Sequence, residues 1–284
     1  MANRIIRIGD QHQITTQSFS GDAVVTEVHG IQTADQKGVL VNYRIEDYGE
    51  TNAFYLPDSQ ILEAQADGRR SRSGMPKEYV YKTAKNFDWM QYGEDVAVQK
   101  KIANAFVKRF DMFRKQGRGL YIYSDTKGSG KTMLACCIVN EVLKEFDIPV
   151  KFISMPEYIE LVKDKSEGAK AKIKSVLEAV LLIVDDIGAT TEDKEWISNA
   201  IFRLVNWRHE NLLPTIYTSN VPIEKLKTDD RIVSRIYEDS VPVIMPEVSI
   251  RRKKADKYRS EFLRQILEEK EPAASGQALP DSDK

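Results

Sequence analysis

Over residues 1–66 the apolar positions come in short runs, RIIRI, HQITT, AVVTEV, GVLVNYRI and AFYL, rich in β-branched and aromatic residues and separated by Gly, Asp and Asn. Runs of that length between turn formers predict a small β-rich module. The next stretch, DGRRSRSGMPKEY at 67–79, is polar and carries two glycines and a proline, which predicts a linker. The period then changes. From about Tyr92 to Lys115, Val98, Ile102, Phe106, Phe110 and Phe113 recur at spacings of three and four, the stripe of an amphipathic helix. Strand and helix patterns alternate from there: a strand at YIYS, a helix to about Phe146, a strand at PVKFIS, helices through a lysine-rich segment, a strand at AVLLIVDD, a helix from Asp193 to Glu210 and a strand at TIYTSN. A helix from about Thr228, a strand at VPVIM and a helix from about Ser249 to Glu269 follow. Such alternation predicts an α/β fold over 80–270, a parallel sheet with helices on both faces. The tail EPAASGQALPDSDK, 271–284, has the composition of a disordered segment.

Where the strand YIYS meets the helix after it stand Gly128, Ser129, Gly130, Lys131 and Thr132. The glycines let backbone N–H groups fold around an anion, the helix N-terminus adds its dipole, Lys131 supplies charge and the Thr132 hydroxyl can ligate Mg²⁺. The expected ligand is a nucleoside triphosphate. One position departs from the full pattern: five residues before Gly130, glycine is replaced by Asp125, whose carboxylate would crowd the phosphates unless it points to solvent. In a parallel sheet, ligands sit beyond the carboxyl ends of the strands. AVLLIVDD delivers Asp185 there, expected to hold Mg²⁺ through water, and Asp186, expected to orient or deprotonate an attacking water. PTIYTSN ends in Asn220, able to hydrogen-bond the γ-phosphate or that water. On the last helix Arg251 shares a stripe with Ala255, Tyr258, Phe262 and Ile266, which predicts that it faces inward toward an anion.

Between the second and third strands of this region, Lys163, Lys165, Lys170, Lys172 and Lys174 accompany Tyr158. Lysines that meet phosphates and an aromatic ring that stacks a base are what single-stranded DNA binding requires. Glu160, Asp164 and Glu167 interleave with them, as on an ordinary solvated face.

Composition narrows the classes. The 284 residues are 42% hydrophobic, enough for a core, with no apolar run of membrane-spanning length. The start MANRIIRIGDQHQ lacks the apolar segment of a signal peptide, so a cytoplasmic location is expected. Adjacent Cys136 and Cys137 cannot staple a fold, and three scattered histidines make no metal set. A net charge of −1 leaves nucleic-acid contact to local clusters.

The ordered set GRGLYIYS into GSGKT, LLIVDDIGA, PTIYTSN, RIVSRIYE and SIRRKKA resembles the AAA+ ATPases of the DnaC/DnaI type, which load bacterial replicative helicases, and their insertion-sequence relative IstB. The likeness covers roughly residues 76–267. It implies an AAA+ P-loop ATPase using ATP and Mg²⁺, with Asp185 on the metal, Asn220 as sensor 1, Arg251 as the sensor 2 arginine and Arg235 as an arginine finger reaching a neighbouring subunit. Helix spacing puts Arg231 on the same face as Arg235, and either can serve as that finger. The lysine-rich segment resembles the insertion that lines the DNA-facing pore. The resemblance implies self-association, single-stranded DNA as a ligand and a hexameric replicative helicase as partner, gripped by the amino-terminal module. That module lacks the cysteines of a zinc-binding domain, and an unusual module on such a motor would suit a phage or mobile element. An IstB-like transposition helper, a P-loop kinase and an interaction protein without turnover are the alternative classes.

Overall fold

The computed structural model describes residues 8–15, 19–32, 37–46, 49–55, 59–188 and 195–268. Strands β1 (Gln11–Thr15), β2 (Ser20–Gln32), β3 (Lys37–Ile45) and β4 (Gly49–Tyr55) pair antiparallel in chain order. Alternation along β3 sends Val39, Val41, Tyr43 and Ile45 to one face, where Ala23 and Val25 of β2 join them in a separate small core. A register shift between Val25 and Glu27 bulges β2.

Helix α1 (Ser59–Arg72) comes next, then α2 (Ala97–Lys108), α3 (Phe110–Lys115), β5 (Gly119–Tyr123), α4 (Lys131–Glu145), β6 (Val150–Ser154), α5 (Met155–Lys163), α6 (Glu167–Leu177), β7 (Leu181–Asp185), α7 (Glu195–Glu210), β8 (Thr215–Ser219), α8 (Asp230–Asp239), β9 (Ser240–Ile244) and α9 (Ile250–Glu268). The five strands β5 to β9 form a parallel sheet in the order β6-β7-β8-β5-β9. β7 and the first four residues of β5 are buried, as the continuous apolar runs require of strands covered on both faces. Helices pack on both sides, giving two apolar cores, one built around α4 with Phe106, Phe110 and Phe113, the other around α5, α7 and α8.

Three expectations need correction. The expected linker, 67–79, begins inside α1. Two of its three arginines leave the water: Arg70 is buried and donates to Asp67 at 2.7 Å, and Arg69 pairs with Asp147, while Arg72 is exposed; Ala66, just before them, lies in the main core. Past the helix, the Phe152 N–H donates to the Ser73 carbonyl at 2.8 Å, tying this stretch to β6. Polar composition reported side chains able to pair, not exposed chain. The single helix expected from Tyr92 to Lys115 is two, because the backbone breaks at Arg109 (φ −120°, ψ 29°), and Tyr92 belongs to a preceding 3₁₀ turn. The apolar stripe of α9 does not face inward: Ile250 packs on the core, whereas Tyr258, Phe262 and Ile266 are exposed and Tyr258 stacks on Phe262. Periodicity establishes that a helix is amphipathic and leaves open what covers it. The tail 271–284 and the beginning of the helix expected from Asp193 lie outside the described residues.

Arg208 organises the join between α6, α7 and β8. It is buried on α7 and donates to the carbonyls of Val176, Leu177, Ala179 and Pro214 and to the Thr215 hydroxyl, at 2.6–3.4 Å. Three of those carbonyls are at the C-terminal end of α6, the negative end of its dipole. Burial pushes the guanidinium pKa down to about 10, still charged at neutral pH. Among the described residues, no helix is long and apolar enough to cross a membrane.

Candidate functional site

The β5–α4 turn carries Gly128 at φ 78° and Gly130 at φ 94°, left-handed backbone that favours glycine. A Cβ on Gly128 would also stand 2.8 Å from Cβ of Arg251. The turn delivers Lys131 to the head of α4, buried, with its amine donating to the Ser124 carbonyl (3.2 Å), the Thr126 carbonyl (3.1 Å) and the Ser129 hydroxyl (3.3 Å). Burial lowers its pKa, while Asp186, Glu247 and Asp185 act the other way.

The next residue connects the turn to β7. Thr132 donates its hydroxyl to Asp185 Oδ1 at 2.8 Å, and Thr218 of β8 donates to the same oxygen at 2.6 Å. Burial raises the Asp185 pKa, opposed by these two hydrogen bonds. Asp186 follows at φ 56°, one of two left-handed non-glycine residues among those described, and its N–H donates to Thr218 Oγ1 at 2.9 Å. Asn220 Nδ2 reaches Asp186 Oδ1 at 3.5 Å. The strand order makes this possible: β8 lies between β7 and β5, so Asp185, Asp186 and Asn220 emerge at one sheet edge beside the turn.

A cleft of about 910 Å³ opens over the turn, with Lys131, Thr132, Asp186, Asn220 and Arg251 in its wall. Arg251 arrives through the segment after β9, where its N–H donates to the Gly128 carbonyl at 3.1 Å. The same segment carries Glu247, whose carboxylate accepts the Asp125 N–H at 2.9 Å. Partial burial pushes the Glu247 pKa up, but hydrogen bonds from Thr126, Asp125 and Ser124 outweigh it and hold the carboxyl below its ordinary range. Asp125 itself is exposed and is not left-handed, so neither its backbone nor its side chain requires the glycine of the full pattern. Behind the turn, Tyr92 is buried and donates to the Ser129 carbonyl at 2.7 Å.

Arg235 is elsewhere. It sits on α8 outside the cleft wall, its guanidinium 4.8 Å from the centre of the Phe202 ring and Nη1 3.3 Å from the Arg231 carbonyl. Arg231 lies over the same ring at 4.5 Å but is held by Asp229, with contacts of 2.7–3.1 Å. Those hydrogen bonds hold the Asp229 carboxyl down to about 2. Of the two arginines, Arg235 alone has no carboxylate partner among the described residues.

The lysine-rich group does not assemble as expected. Tyr158 is buried and donates its hydroxyl to the Ala200 carbonyl at 3.3 Å, so no base can stack on it. Lys163 pairs with Glu160 and Lys170 with Glu167, each at 2.6 Å, and Lys165 donates to the Val162 carbonyl. Sequence reasoning missed Thr218, Tyr92, Glu247 and Phe202, because each acts on a partner at least 29 positions away. Thr218, two residues before Asn220 in the same motif, was the one with a readable signal.

The family described as IstB-like ATP binding protein matches residues 65–240. Among curated proteins, the chain is 30% identical over 125 residues to the replicative helicase loader DnaI of Bacillus subtilis (strain 168), covering 43% of this chain and 39% of that one. It is 28% identical over 116 residues to the phage-like element PBSX protein XkdC of the same organism, covering 39% and 44%. The chain thus spans less than half the length of these relatives. The crystal structure of DnaI superposes with a TM-score of 0.52 at 23% identity, over 63% of this chain and 99% of that one. The likeness is one of fold, and in this chain that fold is a five-stranded parallel sheet flanked by helices, beside a four-stranded antiparallel sheet.

Proposed function

The chain belongs to the IstB-like ATP-binding family, and from that premise we propose that it is an ATP-dependent loader of a replicative DNA helicase onto single-stranded DNA, with ATP binding and hydrolysis as its assembly and release switch. The observation that carries this reading is the division of labour between two sites. Lys131, Thr132, Asp186, Asn220 and Arg251 converge on one cleft, while Arg235 lies away from it with no carboxylate partner. A cation that stands outside its own cleft is free to serve the cleft of a second copy of the chain.

The residues fit a magnesium–triphosphate ligand. Gly128, Ser129, Gly130, Lys131 and Thr132 would hold the phosphates, and the Lys131 ammonium rests on neutral oxygens, so phosphate oxygens can replace them without breaking an ion pair. Thr132 Oγ1 and Asp185 Oδ1 are an adjacent all-oxygen pair suited to a hard cation. Magnesium bound there supplies charge neutralisation on the phosphates. Asp186, held by Thr218 and facing Asn220, orients or deprotonates the attacking water. Arg251 stabilises charge from the segment after β9, and Arg235 does so from the neighbouring copy. The amino-terminal sheet grips the helicase ring, and a cytoplasmic location suits these partners.

The test is ATP-dependent co-purification with a replicative helicase. Helicase should be retained by the full chain with ATP, lost on Lys131→Ala and lost on removal of residues 1–58. Retention that survives the removal would reassign the partner surface. The family match itself favours a second reading, an IstB-like transposition helper that binds duplex DNA and a transposase. Retention of transposase instead of helicase would select it.

A further inference from the structure

Two clefts flank one face of α7, and neither shares a lining residue with the nucleotide cleft. The larger, about 690 Å³, is walled by Trp207 and Arg203 of α7 against α5 and α6. The smaller, about 450 Å³, is walled by Trp196, Arg203 and Lys163. Arg203 and Lys165 line both, so the two are halves of one groove.

Helix geometry aligns what the groove contains. Trp196 and Trp207 are eleven residues apart, three turns and about 20° of rotation, so they share a face about 16 Å apart along the axis. Arg203 lies between them on that face. Both indoles are exposed, Trp196 by 37% and Trp207 by 42%, although indoles are ordinarily more buried than this. Arg203 is exposed, and its guanidinium donates to no hydrogen bond or ion pair among the described residues. Lys163 stands 5.6 Å from the centre of the Trp196 ring. Three of the five cations along the two clefts are paired, Lys163 with Glu160, Lys170 with Glu167 and Lys174 with Glu178, which leaves Arg203 and Lys165 without a carboxylate partner among the described residues.

We infer that this groove binds single-stranded nucleic acid, with bases stacked on Trp196 and Trp207 and the backbone phosphate between them on Arg203. Exposed flat rings with a cation between them suit a strand whose bases are unpaired, because any base has a face to stack. A duplex hides those faces and presents only phosphates, which would not use the indoles. An acidic peptide would satisfy the cations and leave the rings without partners. The inference rests on the single-strand part of the proposed function and transfers the aromatic contact from buried Tyr158 to α7.

The chain contains three tryptophans, and the third, Trp89, is packed against Phe87 and Tyr92, so indole emission reports mainly on the groove. The full-length protein would be titrated with fluorescein-labelled dT20, with and without a non-hydrolysable ATP analogue, following label anisotropy and tryptophan emission together. Binding should quench the emission. Trp196→Ala and Trp207→Ala should each weaken binding about tenfold, Trp→Phe at either position should retain most of it, and Arg203→Ala should reduce the slope of log affinity against log salt by about one. Because both rings are exposed, the variants should melt with the wild type, and the Phe pair provides the comparison if an Ala variant does not fold. Anisotropy that reports tight binding with no quenching, or wild-type affinity in the double Ala variant, would overturn the groove and leave the loader reading standing. Preference for a duplex of equal length, or equal displacement of dT20 by polyglutamate, would also overturn it. No binding of dT20 in either nucleotide state would refute the single-strand reading itself, and the groove with it.

Discussion

Replacing Arg208 with methionine tests whether the sheet edge opposite the nucleotide cleft, where β7 and β8 begin, is held by one buried charge. Methionine is long and flexible enough to fill most of the volume, so the cavity contribution is small and the change isolates hydrogen bonding. Five acceptors lose a donor: the carbonyls of Val176, Leu177, Ala179 and Pro214, and the Thr215 hydroxyl oxygen, of which the Pro214 carbonyl keeps the Leu182 N–H at 3.4 Å. A buried acceptor left dry costs about 1–3 kcal/mol. Some of these will find water as the end of α6 relaxes, and the folded state is relieved of the cost of burying a guanidinium. With two acceptors left unsatisfied, the net loss is about 2–4 kcal/mol, or roughly 6–12 °C in Tm for a domain of this size. Urea denaturation of wild type, Arg208→Met and Arg208→Lys would measure it, with Lys intermediate because an ammonium has three donors in place of a fork of five. A loss below about 1 kcal/mol for Met would refute the reasoning, since the carbonyls at the end of α6 would then have other donors available.

Asp125→Gly should leave ATP affinity by calorimetry within about threefold of wild type, because the Glu247 contact uses the main-chain N–H and the side chain is exposed; a tenfold gain would mean that the carboxylate crowds the phosphates. Thr218→Val should destabilise the fold by about 1–3 kcal/mol, by removing the donor to Asp185 and the acceptor for the Asp186 N–H, and should raise the magnesium concentration needed for half-maximal turnover. Phe202→Leu should lower ATP turnover while leaving nucleotide affinity unchanged, because the ring positions Arg235 and lies outside the nucleotide cleft; weakened affinity would remove Phe202 from that role. The Asp229 carboxyl, followed by NMR, should titrate near 2 instead of its ordinary 3.8 and return upward in Arg231→Ala. Since its folded value is depressed, the stabilisation it gives is present above about pH 4 and is lost as the pH falls through about 2.

What could be read in the chain divides along physical lines. Lys131, Thr132, Asp185, Asp186 and Asn220 lie in short motifs at strand ends, and a parallel sheet collects strand ends at one edge, so their common location was legible. Thr218, Tyr92 and Glu247 act through contacts between distant segments and become visible only when the strand order sets β8 beside β7 and the segment after β9 against the turn. Tyr158 misled because an aromatic residue among lysines has the same local pattern whether it stacks a base or fills a core, and here the Ala200 carbonyl takes its hydroxyl. The 67–79 stretch misled for the related reason that arginines such as Arg70 count as polar even when the fold buries them against a carboxylate.

The claim that one copy completes another's site has a direct measurement. Arg235→Ala keeps an intact nucleotide cleft and lacks the finger, whereas Lys131→Ala keeps the finger and lacks the cleft, so each should have little ATP turnover alone. Mixed in equal amounts with magnesium and ATP, they should recover turnover, because intact fingers then face intact clefts. No recovery on mixing, with both variants folded and associating as the wild type does, would contradict an arginine shared between subunits.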